Sequence, residues 1–454
     1  MLISELKGKK IVIWGLGQEG KATLRCLRAK GIDSEIVIFN DKPMSVDDKE
    51  ALIHFSPLKF ASMEDLDVLM NSDVVIKAPG VSLYRDEVIK AKQKGIIFTS
   101  ATNIWFAESR KNNPDMKIIG VTGTKGKSTT SSLIAHYLRV AGYETAIGGN
   151  IGVPLVDFLT SDKKFEVTVA EISSYQASDL QYSPDVGVLL NLYPEHIDWH
   201  KSHDRYYDDK LNLFAHRGTN PVVLNCNDPR TKEKCANWDN VVYFNDKSGI
   251  YVGDGFIMDG IKRLEAFSEI KIRGYHNYCN ICTALTVVKV LGCDVALCAK
   301  ATGDFDGLLH RLQIVGEKES KIFVNDSIST TPETAVAGIE AFADKPIVLI
   351  AGGYDREQNY EVLAKAVLKY DVKAVVTMHT TGARIAETVG KAISEAAKDV
   401  AVIQTSGLEE AFKTANNYTP KGGVVLMSPA APSYGAYKDF KERGEHFIRL
   451  FKDL

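Results

Sequence analysis

Short, almost continuous runs of β-branched residues recur along the chain, and each leads through a glycine-containing turn into positions of helical periodicity. The runs are Lys10–Trp14 (KIVIW), Glu35–Phe39 (EIVIF), Asp73–Ile76 (DVVI), Lys117–Val121 (KIIGV), Phe165–Ala170 (FEVTVA) and Val186–Leu190 (VGVLL). Pro346–Ile350 (PIVLI), Ala374–Met378 (AVVTM) and Gly423–Met427 (GVVLM) repeat the pattern later. Strands that are apolar on both faces and separated by helices predict parallel sheets covered on both sides. The expected class is α/β throughout. No period of solenoid length and no low-complexity segment interrupts it.

Two polar seams break the alternation, Glu108–Met116 (ESRKNNPDM) and Gly303–His310. They predict three domains, at residues 1–105, 106–307 and 308–454. A chain of 454 residues accommodates that number, at roughly 100–200 residues per domain. Lys plus Arg total 55 against 58 Asp plus Glu, a formal net charge of -3. That balance argues against a surface that coats nucleic acid, while leaving room for a local phosphate pocket. No apolar run reaches the roughly 18 residues that span a bilayer, so no membrane-embedded segment is expected. The N-terminus, MLISELKGKKIVIWGLG, enters a strand at once without a signal-peptide core. Seven scattered cysteines suit a reducing compartment, and the expectation is a cytoplasmic protein.

The run Lys117–Val121 leads into TGTKGKSTT and then the apolar-periodic stretch SSLIAHYLRVAG. Backbone N–H groups of a glycine-rich turn, a helix N-terminus and a lysine together cradle phosphates. The spelling is Gly123-Thr124-Lys125-Gly126-Lys127-Ser128-Thr129, shorter than the common G-x-x-x-x-G-K-[ST] form, because Val121 stands five residues before Gly126. Lys127 is expected on the outer phosphates and the Ser128 hydroxyl on magnesium. Glu171 ends a strand pattern, where a parallel sheet gathers its ligands, and is expected to face the same metal.

A second glycine turn, Gly15-Leu16-Gly17-Gln18-Glu19-Gly20, follows the first strand, and Asp41 ends the next one. This is the dinucleotide-binding fingerprint in its proper context. The glycines require only the close approach of a phosphate-bearing group. A nicotinamide or flavin cofactor and a UDP-sugar pyrophosphate both satisfy that requirement.

Further stretches are GGNIGVPL (148–155), EISSYQ (171–176), NLYPEHIDWH (191–200), YYDDKLNLF (206–214), GYHNYCN (274–280), LLHRLQIV (308–315), VNDSIST (324–330), AGGYDR (351–356) and SPAAPSYGAYKDFKERG (428–444). In this order, and over essentially the whole chain, they resemble the Mur ligase family of peptidoglycan synthesis, and within it the branch that adds glutamate to UDP-N-acetylmuramoyl-L-alanine. The resemblance implies an N-terminal Rossmann-like domain for the UDP compound, a central phosphate-loop ATPase with a mostly parallel sheet, and a C-terminal Rossmann-like domain for the amino acid. It implies ATP-dependent amide formation through an acyl phosphate, with two magnesium ions. Small-molecule partners and a monomeric chain are the expectation.

Carried over position by position, the resemblance puts His196 at a second metal and makes Lys210 a carbamate that joins it. Lys127, His196 and Lys210 are then the catalytic set, and Ser128, Glu171, His196 and Lys210 the metal set. Asn277 and Asn280 lie near the adenine, and Arg311 and Asp326 close over the nucleotide. Gly15, Leu16, Gly17, Gln18, Asp41, Gly80 and Asn150 receive the UDP compound. Thr330, Ser433, Tyr434 and Phe440 meet the amino acid, joined by Arg356, where relatives that add D-glutamate carry lysine. Those relatives also have a lysine where this chain has Ile328. D-glutamate is the expected substrate as the commoner activity, with L-glutamate the alternative.

Other patterns carry less. Cys279-Asn280-Ile281-Cys282 is a CxxC on an apolar stretch, where cysteines pack as small hydrophobes. His196, Asp198, His200 and His203 have the look of a zinc cluster, but the resemblance uses only His196. A nicotinamide-dependent dehydrogenase would leave the phosphate loop unexplained, and no N-K-x-D sequence supports a guanine-reading switch. Folylpolyglutamate synthase, within the same family, lacks the first glycine turn and its domain.

Overall fold

A computed structural model describes residues 1–454. Packing divides the chain into two compact units, residues 1–265 with 279–302, and residues 266–278 with 303–454.

The first unit holds two parallel sheets. One is five-stranded, built from β1 (Ile11–Trp14), β2 (Ile36–Asn40), β3 (Leu58–Ser62), β4 (Val74–Lys77) and β5 (Ile97–Ser100) in the order β3-β2-β1-β4-β5. The other is six-stranded, from β6 (Lys117–Thr122), β7 (Thr145–Gly149), β8 (Val167–Glu171), β9 (Val186–Leu189), β10 (Val222–Asn225) and β11 (Val241–Phe244), ordered β11-β10-β9-β6-β8-β7. A small sheet of β12 (Ile250–Val252), β13 (Phe256–Asp259) and β14 (Lys262–Ala266) follows. The predicted apolar runs are the buried strands of these sheets, and β1 and β4 are buried at every position.

The seam expected at residues 105 and 106 falls inside helix Ala101–Asn112. Trp105 and Phe106 are fully buried in one core that continues from Ile11 and Val74 of the first sheet to Ile118 and Leu189 of the second. Phe106 stacks on Tyr182 at 5.9 Å. The polar stretch that begins at Glu108 is the solvent-facing end of a helix whose other end joins the two sheets.

The second unit is a six-stranded sheet of β15 (Gln313–Lys318), β16 (Lys321–Asn325), β17 (Ile347–Ala351), β18 (Val372–Thr377), β19 (Ala401–Gln404) and β20 (Val424–Met427), ordered β15-β16-β20-β17-β18-β19. Only β15 runs antiparallel to its neighbour β16. Separate hydrophobic clusters cover the two faces of this sheet, as expected of a doubly wound layer.

Candidate active site

Between β6 and helix Lys127–Val140 the chain turns through Gly123 (φ +149°) and Gly126 (φ +87°). A Cβ on Gly123 would meet Leu190 Cβ at 2.8 Å, and one on Gly126 would meet Asn280 Oδ1 at 2.6 Å. Both positions therefore need glycine for conformation and for room. Thr124 turns inward, its hydroxyl 2.9 Å from Tyr206 Oη and accepting the Tyr193 N–H at 2.9 Å. Asn191 accepts the Lys125 N–H at 2.8 Å and donates to the Lys125 carbonyl at 3.0 Å. These contacts fix the loop, and Asn191 and Tyr206 are anchors that the sequence reading passed over.

The cations sit at the mouth of this loop. Lys127 Nζ donates to the carbonyls of Gly123 and Thr124 at 2.9 and 3.1 Å, while Lys125 Nζ pairs with Glu195 at 2.8 Å. Ser128 and Thr129 follow in the first helical turn, where the Thr129 hydroxyl is buried without a hydrogen-bond partner. Asn280 Oδ1 accepts the Thr130 hydroxyl at 3.2 Å and so braces the helix start.

Strand register carries Glu171 to the same edge, opposite Val121 of β6 and Gly149 of β7. Glu171 is 1% exposed. Its Oε1 accepts the Asn150 amide at 2.7 Å, and its Oε2 is buried with no hydrogen-bond partner. An orphaned carboxylate oxygen beside a phosphate loop is costly unless a cation meets it. Glu171 and the Ser128 hydroxyl thus fit a divalent ion.

Lys210, on helix His203–Leu211, is buried, and its Nζ donates to the Gly123 carbonyl at 3.1 Å. Burial first, and the Lys127 cation second, hold its ammonium well below the ordinary lysine range. The neutral amine this favours is the form that adds carbon dioxide, so the residue fits a carbamate. His196 has a left-handed backbone (φ +57°), and its Nε2 is 3.7 Å from Glu195. Burial lowers its pKa, and Lys210 and Lys127 add to that against the opposing Glu195.

A cavity of about 490 Å³ opens at the carboxyl ends of β1 and β4, the point where strand order reverses in the first sheet. Gly15, Gly17, Gln18, Asp41, Gly80 and Asn150, all expected on sequence to receive the UDP compound, are brought together in its lining. Leu16 is absent from the lining, and its N–H donates to Asn40 Oδ1 at 3.1 Å. Trp14, Glu19, Asn40 and Gln176 line the cavity without having been foreseen. Both oxygens of Asp41 are taken by Arg85 at 2.9 Å, and Trp14 Nε1 donates to one of them at 3.3 Å. Asn150 lines this cavity while holding Glu171, so one side chain joins the cavity to the phosphate loop.

In the second unit, Asp326 follows β16 and is buried, accepting hydrogen bonds from Ser329 Oγ (2.5 Å), Ser428 Oγ (2.7 Å) and the Leu312 N–H (3.0 Å). Burial pushes its carboxyl up to about 6 despite those donors. Its immediate role is to hold segment 326–330. Arg311 Nε is buried without a partner, and Asn277 donates to the Arg273 carbonyl at 2.8 Å. Ser327 donates to the Phe440 carbonyl at 2.7 Å, so Phe440 meets this segment through its main chain. Gln358 donates to the Thr330 carbonyl at 3.0 Å, a brace absent from the sequence expectations. Arg356 lies over the ring of Tyr434 at 5.6 Å, next to the buried Ser433.

Comparison with known proteins agrees with this geometry. Residues 9–100 match the MurD-like N-terminal domain of Mur ligases, 121–288 the Mur ligase middle domain, and 310–431 the Mur ligase glutamate ligase domain. The UDP-N-acetylmuramoyl-L-alanine--L-glutamate ligase of Xanthomonas euvesicatoria is 36% identical, with 99% of this chain and 96% of that protein covered. The protein of the same name from a Micromonospora species is 34% identical, over 100% and 98%. Among solved structures, the MurF ligase of Thermotoga maritima in complex with ADP superposes with a TM-score of 0.59 at 17% identity, over 99% of this chain and 96% of that one. The chain belongs to the Mur ligase family. It is an ATP-dependent, ADP-forming ligase of that family.

Proposed function

We propose that this ligase joins glutamate, as the L isomer, to the L-alanyl carboxylate of UDP-N-acetylmuramoyl-L-alanine in the synthesis of peptidoglycan precursors. The observation that carries the reading is Asn150, which lines the N-terminal cavity and donates to Glu171 beside the phosphate loop. A UDP-linked substrate seated in that cavity has its reacting end directed toward the outer phosphate of ATP.

Each group takes a role in this reading. Gly15, Gly17, Gln18, Asp41 and Gly80 receive the UDP portion. The loop amides and Lys127 hold the phosphates, with Asn280, which braces the start of the following helix, beside them. Magnesium held by Ser128 and Glu171, with a second ion beside His196 and a carbamylated Lys210, supplies neutralisation of the crowded phosphates when bound. The alanyl carboxylate oxygen attacks the γ-phosphorus, the bond to the β,γ-bridging oxygen breaks, and ADP leaves. The glutamate amine then attacks the acyl carbon, loses a proton and displaces phosphate. Lys127 steadies the charge that develops on the transferring phosphoryl group. Thr330, Arg356, Ser433, Tyr434 and Phe440 orient the amino acid. In this division of labour residues 1–105 serve the UDP compound, 106–307 ATP, and 308–454 glutamate, within one cytoplasmic monomer.

D-glutamate was the expectation from the commoner activity. The names of the relatives favour the L isomer, and so does Ile328, which removes a charge from the amino-acid segment. The test is omission. Phosphate release from magnesium-ATP should require both the UDP compound and glutamate, with a product heavier by one glutamyl residue. Release that is indifferent to the UDP compound would overturn the assignment.

A further inference from the structure

His200 is fully buried and has no place in the scheme above. Its Nδ1 lies 2.5 Å from Asp209 Oδ2, and its Nε2 lies 3.0 Å from Ser174 Oγ. Asp209 uses its other oxygen to accept the hydroxyl of Tyr84 at 2.8 Å. With a carboxylate accepting at Nδ1, that nitrogen carries a proton, and Nε2 shares a hydrogen bond with the serine hydroxyl. Both ring nitrogens are thereby engaged, which removes His200 from any zinc cluster.

Serine, histidine and aspartate in this order have the geometry of a hydrolytic triad, but a triad needs its nucleophile facing substrate. Ser174 is buried, and the neighbouring cavity is lined by Gln176 instead. The four side chains instead tie together segments of the active site. Ser174 is three residues past Glu171, and Asp209 adjoins Lys210 on helix His203–Leu211. Tyr84 belongs to the segment after β4 whose Gly80 lines the cavity. Two further bonds clasp that segment: Trp199 Nε1 donates to the Gly80 carbonyl at 3.1 Å, and Ser82 Oγ donates to the Trp199 carbonyl at 2.8 Å.

We propose that Tyr84, Asp209, His200 and Ser174 form a positioning relay through which a ligand in the N-terminal cavity sets Lys210 and Glu171 for the nucleotide. A ligand that orders Gly80–Tyr84 fixes Asp209 through the tyrosine hydroxyl. Asp209 carries its neighbour Lys210 with it, and His200 transmits the constraint to the turn behind Glu171. The consequence is positive coupling between the two sites, which by linkage must be reciprocal. The inference rests on the proposal that the cavity takes the UDP-linked substrate.

The test titrates magnesium-ADP calorimetrically into the full chain, with and without saturating UDP-N-acetylmuramoyl-L-alanine. The wild-type protein should bind magnesium-ADP about fivefold or more tightly when the UDP compound is present, the lower range of allosteric coupling. Tyr84→Phe keeps the ring and removes only the hydroxyl. It should reduce that enhancement to less than about twofold, with magnesium-ADP affinity alone unchanged and melting temperature lower by only a few degrees, the cost of leaving one Asp209 oxygen without its donor. His200→Asn retains a donor toward Asp209 and should keep more of the enhancement than His200→Ala. A Tyr84→Phe protein with the wild-type enhancement would overturn the relay, whatever the His200 variants do. A wild-type protein that binds the UDP compound without tightening magnesium-ADP would overturn it as well. Failure of the UDP compound to bind at all would overturn the substrate assignment, and the relay with it.

Discussion

After β1 the chain turns through Gly15 at φ +94°, and after β6 through Gly123 and Gly126 at φ +149° and +87°. Each turn opens a helix at the carboxyl end of a central parallel strand. The side chains around them differ. Around the first stand Glu19 and Asp41, with Arg85 committed to Asp41 and the buried Lys77 acting on Glu19. Around the second stand the cations Lys125 and Lys127, the buried Lys210 amine, and the carboxylates of Glu171 and Glu195. Glycine spacing alone governs how closely a backbone can approach a phosphate. The charge placed around the turn decides which phosphate-bearing molecule is held, and whether it is only bound or also cleaved. This is why the first turn was open to several nucleotides on sequence and the second was not.

The comparison can be broken most severely at Lys127. Lys127→Ala should lower turnover by about a thousandfold or more, as loss of an electrostatic stabiliser of a transferring group does. Binding of the UDP compound should be unchanged by calorimetry, and a weakened cavity would show that the two turns are not separate devices. Lys210→Ala should reduce kcat by about a hundredfold, with part of the activity restored by acetate or another short carboxylate. An active variant indifferent to acetate would remove the carbamate from the scheme.

At the first turn, Gly15→Ala forces a Cβ to within 2.8 Å of Ala78 Cβ in a backbone that L side chains rarely adopt. It should raise KM for the UDP compound about tenfold, leave KM for ATP near wild type, and destabilise the protein by about 1–3 kcal/mol. An equal rise in both KM values would contradict the division between the turns. The smallest effect is expected for Arg85→Ala, which frees the half-exposed Asp41 carboxylate at the cavity wall. KM for the UDP compound should rise about threefold at low salt and less at high salt, since screening weakens the uncovered charge.

The parallel sheets were legible because strands buried on both faces are written as unbroken apolar runs, and β1, β4, β9 and β20 are such runs. Lys127 and Glu171 were legible because a turn and a strand end are local features. Contacts made over long sequence distances were not. Arg85 across Asp41, and Tyr206 and Tyr193 at the Thr124 hydroxyl, are partners that no local pattern announces. That the 105–106 boundary lies inside a buried helix was hidden for the same reason. The polar residues from Glu108 onward are adjacent in sequence, whereas the partners that bury Trp105 and Phe106 come from two different sheets. His200 showed only one of its neighbours' chemistries in sequence, and its meaning depends on Ser174 and Asp209 together.

The central claim is tested most directly by phosphate release from magnesium-ATP and UDP-N-acetylmuramoyl-L-alanine, with L-glutamate and D-glutamate supplied in separate reactions. Turnover with L-glutamate and little or none with D-glutamate is the predicted result. Turnover with D-glutamate alone would contradict the substrate assignment at segment 326–332 while leaving the phosphate loop in place, and silence with both isomers would contradict the proposed reaction.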